Sequence, residues 1–243
     1  MALGLAALPL APLLVAQGRR VRRVTPRLPP AAGPVAGIVG DDGAGAPLSL
    51  LAIGESTVAG VGAATHADAL TGQLARGLAA ATGRRVAWQA HGLSGATVAQ
   101  ARASLLPGIA GSPLDLIVVA FGVNDVLEHT RPARYAERVA ALVAALRARG
   151  GPAPALLCAA PPMARFPSLP APLSTYLGAR AQLLNRALHR ARIERATLVT
   201  PAVRIEPALF AEDGFHPSPA GYAVWAEALA AAALHAGFLR GRP

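Results

Sequence analysis

The run Leu48 to Ile53 is apolar but for Ser49, and it stops abruptly at Gly54-Glu55-Ser56. A short apolar run bounded by turn residues fits a strand buried on both faces, as in a parallel sheet covered by helices. The rest of the chain repeats the pattern. Asp115 to Phe121, DLIVVAF, is β-branched and does not alternate with polar residues. Weaker runs at Arg85 to Gln89, Ala155 to Ala159 and Thr197 to Thr200 predict further strands. Helical stretches are predicted between and after them, at Asp68 to Ala81, Ala96 to Leu106, Pro132 to Arg149, Tyr176 to Arg195 and Pro219 to Ala236. Several end at Gly or Pro punctuation. Strands alternating with helices predict an α/β fold, a doubly wound parallel sheet of about five strands.

Composition agrees with one folded unit. Of 243 residues 53% are hydrophobic and only 15% charged, enough for a single sizeable core and unlike a disordered chain. The net charge is +10, and every basic residue is Arg. Base composition explains this most simply, since Ala, Gly and Pro are also abundant. A membrane surface or another polyanion is the alternative partner. No specific nucleic acid is expected. Cys158 is the only cysteine, so an intramolecular disulfide and a thiolate metal cluster are excluded. His66, His129, His189 and His235 share no metal-ligand spacing, and no metal site is expected.

Residues 1–46 read as a separate segment before a domain at 47–243. Met1 to Ala16 is apolar but interrupted by Pro9 and Pro12, and shorter than the roughly 20 residues a spanning helix needs. Its charges (Arg19, Arg20, Arg22, Arg23, Arg27) follow the apolar run, whereas a secretory signal carries them before it. A helix lying on the domain, an interfacial anchor with a basic flank, and a cleaved signal all remain open. A cytoplasmic place, or the cytoplasmic face of a membrane, is favoured, with secretion left open. The Pro- and Gly-rich stretch up to Pro47 reads as linker.

Ligands of open α/β sheets bind beyond the carboxyl ends of the strands. Ser56 follows the first predicted strand, and a Gly-rich turn, His91 to Thr97, follows the second. Gly122-Val123-Asn124-Asp125 follows the third, and Asp213-Gly214-Phe215-His216-Pro217 comes late. Each has an ordinary structural reading as cap, tight turn or core histidine. Together they provide what acyl transfer needs. A serine hydroxyl is a poor nucleophile until a base takes its proton, and an imidazole held by a carboxylate is such a base. Backbone N–H groups and an amide can then hold the oxyanion.

The four blocks resemble those of the SGNH, or GDSL-type, serine esterase and lipase family, in family order from Gly54 to His216. The resemblance implies a three-layer α/β/α sandwich related to flavodoxin. It implies Ser56 as nucleophile, His216 as base, Asp213 as its partner, and Ser56, Gly95 and Asn124 as the oxyanion hole. It also implies a small-molecule ester or thioester substrate and no metal or organic cofactor. The chain departs from the family pattern at Glu55, where Asp is usual, and at Ala90, where Asn often opens the second block. The α/β-hydrolase elbow G-x-S-x-G is absent, because residue 58 is Val.

The Pro-rich loop Pro161 to Leu173 carries Met163 and Phe166, which are expected either to line an acyl pocket or simply to cover the core. Acyl esters or lysophospholipid-like lipids are the expected substrates. Carbohydrate O-deacetylation and thioester hydrolysis stay as alternatives on the same fold, and an inactive membrane-associated binding protein as a non-enzymatic one.

Overall fold

The computed structural model describes residues 8–41, 46–200 and 206–239. Its six strands are β1 (Ala36–Val39), β2 (Leu48–Gly54), β3 (Val86–Gly92), β4 (Leu116–Ala120), β5 (Ala155–Cys158) and β6 (Ala196–Val199). Their order is β1-β3-β2-β4-β5-β6, with β1 antiparallel to β3 and the other pairings parallel. Seven α-helices accompany them among the described residues: α1 (Ala11–Val24), α2 (Leu70–Thr82), α3 (Val98–Leu105), α4 (Val123–Leu127), α5 (Pro132–Gly150), α6 (Leu173–Arg190) and α7 (Pro219–His235).

The period of two along each strand divides the core in half. Leu51, Ile53, Ile117, Val119 and Leu157 pack toward α5 and α6. Leu50, Ala52, Leu116, Val118 and Leu156 pack with residues of α2 and α7 on the other face. The result is a three-layer α/β/α sandwich with a mostly parallel sheet. The unbroken apolar runs follow from this double covering.

Local chemistry sets the helix ends. Thr97 and Gln100 form a reciprocal capping box at the start of α3. Ser218 caps α7 by accepting from the Gly221 N–H, and Pro219 occupies the first turn. Pro132 opens α5 in the same way.

The structure differs from the sequence reading at the sheet edge, at the third polar block and in where helices begin and end. The expected linker contributes β1, which lies over Trp88 of β3 so closely that a Cβ on Gly37 would meet the indole nitrogen at 3.0 Å. A four-residue edge strand in Pro- and Gly-rich sequence carries too little pattern to be seen. Among the described residues the sheet therefore has six strands rather than about five. The Gly122-Val123-Asn124-Asp125 (GxND) block opens the short helix α4, and α6 runs from Leu173 to Arg190 where Tyr176 to Arg195 is expected. Among the described residues, no helix is long and apolar enough to cross a membrane.

Candidate active site

β2 and β4 are neighbours in the sheet, yet their chains leave toward opposite faces, to α2 and to α5. Such a switch point opens a crevice at the strand ends. Ser56 stands on one side of it and Asn124 on the other. Ser56 is the only residue from 51 to 60 that is not buried. Gly54 is required by space, since a Cβ there would lie 2.5 Å from the Ala120 carbonyl oxygen and 2.5 Å from Val58.

The loop between β6 and α7 brings in the other two polar groups. From residue 206 on it is folded tightly on itself, with the Ala211 N–H bonded to the His216 carbonyl at 2.8 Å. Asp213 Oδ1 accepts from the Phe215 and His216 backbone N–H groups, both at 2.9 Å. Its Oδ2 lies 2.6 Å from His216 Nδ1. His216 Nε2 lies 3.0 Å from Ser56 Oγ. The Asp213 side chain is almost wholly covered, while the imidazole is one-fifth exposed. Burial alone would raise the Asp213 pKa. The hydrogen bonds from His216 and from the two backbone N–H groups outweigh it and hold the carboxyl below its ordinary range. A buried carboxylate of this kind fixes an imidazole with its far nitrogen toward a hydroxyl and stabilises the imidazolium once a proton arrives.

Gly95 follows β3 and Asn124 follows β4, the two neighbours of β2 in the sheet. Gly95 has φ +80, a backbone that L-residues with a Cβ rarely adopt. Among the described residues, the N–H groups of Ser56 and Gly95 have no acceptor. Asn124 sits in the first turn of α4, half-buried.

Glu55 is the group that sequence reasoning undervalued. It is 3% exposed, and both its oxygens face the start of α4. Oε1 accepts from the Val123 N–H at 2.9 Å. Oε2 accepts from the Asn124 N–H at 3.0 Å and from Asn124 Nδ2 at 2.6 Å. Burial pushes its pKa up to about 7; the Asn124 and Val123 donors oppose the rise, and the Asp125 charge adds to it. The departure from Asp thus falls on a residue that anchors the GxND turn. The other departure, Ala90, is an ordinary strand position whose N–H bonds the Val35 carbonyl at 2.8 Å. Asp125 does not face Asn124. It is fully buried, and its Oδ2 accepts from the Val98 N–H at 3.0 Å, tying the start of α3 to α4.

A cavity of about 60 Å³ adjoins Ser56 and His216. Phe166, Phe210, Phe215 and Trp225 are among its walls. Phe166 stands edge-on to both other phenyl rings, with centroids 5.6 Å from Phe210 and 5.1 Å from Phe215. Met163 does not line this cavity. It is wholly buried in the core, because the short helical turn that carries it packs against α6, where a Cβ on Gly178 would meet Ala164. Phe210 and Phe215 were not singled out from sequence; an aromatic beside the late Asp-His pair was the available signal. Cys158 is buried, and burial and the Glu55 charge push its thiol up to about 12. Among the described residues, no three His, Cys, Asp or Glu side chains come together as a metal site.

The sequence profile of the GDSL-like Lipase/Acylhydrolase family matches residues 52–224. A GDSL-like esterase of Mycobacterium tuberculosis, Rv1075c, is 31% identical over 192 residues, covering 74% of this chain and 60% of that one. The chain thus spans about 60% of that relative's length. Among solved structures, the lipase Lip_vut3 from a goat rumen metagenome aligns with a TM-score of 0.63 at 18% identity, over 79% of this chain and 98% of its own. Est24, a carbohydrate acetylesterase from Sinorhizobium meliloti, aligns with a TM-score of 0.57 at 19% identity, over 77% and 99%. At these identities the structural likeness speaks for the fold alone.

Proposed function

The chain belongs to the GDSL-like lipase/acylhydrolase family, and on that premise we propose that it is a serine hydrolase of carboxylic esters. The observation that carries this reading is the continuous relay from Asp213 through His216 to Ser56, with contacts of 2.6 and 3.0 Å. Ser56 Oγ attacks the ester carbonyl carbon while His216 Nε2 takes its proton. Asp213 stays ionised and holds the imidazolium. The N–H groups of Ser56 and Gly95 and the Asn124 amide receive the oxyanion. Collapse of the tetrahedral intermediate expels the alcohol, protonated by His216, and leaves an acyl-serine. A water, deprotonated by the same imidazole, then releases the acid.

The apolar walls around Ser56 favour an apolar acyl group, of fatty-acyl or lysophospholipid-like esters. A second reading, short acyl groups such as those removed from carbohydrates, draws on size, since the cavity beside Ser56 is only about 60 Å³. Hydrolysis of p-nitrophenyl esters from acetyl to palmitoyl, with Ser56→Ala as control, tests both. Activity lost in the variant supports the reading, and the chain-length optimum chooses the substrate class. A folded chain that hydrolyses no ester and takes no fluorophosphonate label at Ser56 would leave the reading without support and bring forward the inactive binding protein.

A further inference from the structure

Helix α1 lies outside the residues matched by the family profile, yet it forms part of a groove that shares the wall residue Phe215 with the Ser56 cavity. Leu14 and Val21, seven residues apart, rest against the core next to α6. Between them, Gln17 clamps the chain at the start of α6: its Nε2 donates to the Ala171 carbonyl at 2.7 Å and its Oε1 accepts from the Leu173 N–H at 3.1 Å. No residue of α1 is fully buried, so the helix forms a wall rather than a piece of core. The groove has a volume of about 750 Å³. That lies within the roughly 300–1,000 Å³ usual for small-molecule sites.

Two features define what the groove would take. Leu14, Leu127, Leu169, Leu173 and Leu177 give it an apolar floor, while Arg19, Arg22 and Arg27 stand along it with no acidic residue among its described walls. Phe215 lines both this groove and the cavity at Ser56, and its ring stands edge-on to the His216 imidazole, 5.3 Å between centroids. The basic end of α1 is also the end tied to the serine's own segment. The chain leaving it runs to Ala31, whose N–H bonds the Ala59 carbonyl at 3.0 Å.

We propose that the groove between α1 and α6 binds the apolar tail of an anionic amphiphilic ester, with the α1 arginines taking its negative charge. This rests on the serine-hydrolase reading above. The ester carbonyl sits at Ser56, the tail passes Phe215 into the groove, and the arginines hold a phosphate or carboxylate at its edge. Each methylene drawn from water adds roughly fourfold to binding, so a long tail gains far more from the groove than an acetyl group does.

Gly18 supplies the test. It lines the groove, and a Cβ there meets nothing within 4 Å. In the middle of a helix, Gly18→Phe therefore fills the groove without a clash at its Cβ. The ratio of kcat/KM for p-nitrophenyl dodecanoate over p-nitrophenyl acetate is expected to fall at least tenfold in Gly18→Phe; an unchanged ratio overturns the proposal. Calorimetric titration with dodecyl phosphate below its micelle concentration reads the groove independently of turnover, and so keeps the test alive if the parent chain hydrolyses no ester. One-to-one binding, weakened at least tenfold by Gly18→Phe and by Arg22→Glu and not given by dodecyltrimethylammonium, is expected. Equal binding of both amphiphiles overturns the charge assignment. Retention of the parent on anionic phosphatidylglycerol vesicles, lost in Arg22→Glu, with no dodecyl phosphate bound by the parent, identifies α1 as a membrane face instead and overturns the groove.

Discussion

Glu55 Oε2 accepts two hydrogen bonds from one residue, Asn124, at 3.0 Å from its backbone N–H and 2.6 Å from its side-chain Nδ2. An amide nitrogen carries two protons, so one is held by Glu55 and the other stays free for an oxyanion. Glu55 is therefore a positioning residue on this reading. In Glu55→Gln the new NH₂ must face one of three N–H donors that the carboxylate now accepts. We expect kcat for ester hydrolysis to fall on the order of 100-fold with KM little changed, as for loss of an oxyanion donor. Glu55→Asp keeps the charge and should recover part of the loss. Full kcat in the Gln variant would remove Glu55 from the positioning role.

The same residue makes stability depend on pH. The Glu55 pKa is raised from 4.5 unfolded to about 7 folded. Between these values the unfolded chain has released the proton and the folded chain keeps it, so stability falls as pH rises. The contribution is full below about 4.5 and gone above about 7, on the order of 3 kcal/mol across the window. Urea unfolding at pH 5 and pH 8 measures it, with Glu55→Gln as the reference that lacks the titration. An equal pH dependence in the two proteins would assign the slope to other groups.

Asp213 fixes the orientation of His216 through a 2.6 Å contact. In Asp213→Asn the amide can turn its NH₂ toward Nδ1 and favour the wrong tautomer. We expect kcat at neutral pH to drop by about 10⁴-fold while binding of a substrate analogue persists. A loss below tenfold would mean that His216 is oriented by its loop alone.

Phe166 stands between Phe210 and Phe215 at the wall of the Ser56 cavity. Truncation to Ala enlarges that space and costs about 3–5 kcal/mol of stability by the usual cavity rule. In the fraction that stays folded, the ester series should shift toward longer acyl groups. An unchanged chain-length profile at retained activity would place the acyl group elsewhere.

How far the sequence was legible depends on where the signal lay. β2 and β4 were visible because strands covered on both faces need unbroken apolar runs, and LLAI and LIVVA supply them. The four polar blocks were visible because each follows a strand or sits beside Pro217, where short chemical words survive. β1 was not visible, because a four-residue edge strand needs only backbone pairing and one close approach to Trp88. Met163 and Phe166 looked alike in a Pro-rich loop. One turns into the core and the other to the cavity, a difference that three-dimensional packing decides. Glu55 read only as a departure from the usual Asp, since nothing local announces that its carboxylate crosses to residues 123 and 124.

Asp125 joins two donor-bearing loops. Its buried carboxylate accepts from the Val98 N–H at the start of α3, just beyond Gly95, while its own backbone follows Asn124. Burial raises its pKa, and the Val98 bond opposes that rise. Asp125→Ala leaves the Val98 N–H without this partner in a dry site, a cost of about 1–3 kcal/mol. For a chain of this length that lowers Tm by roughly 2–4 °C per kcal/mol. Asp125→Asn keeps an oxygen in place and should lower Tm less. Because the loops of Gly95 and Asn124 lose their common tie, kcat should fall in the Ala variant more than its folded fraction explains. Thermal melts and kcat measured well below Tm separate the two effects. An Ala variant with lowered Tm and intact kcat would mean that each proposed oxyanion donor is held by its own loop, Gly95 by the capping box of α3 and Asn124 by Glu55.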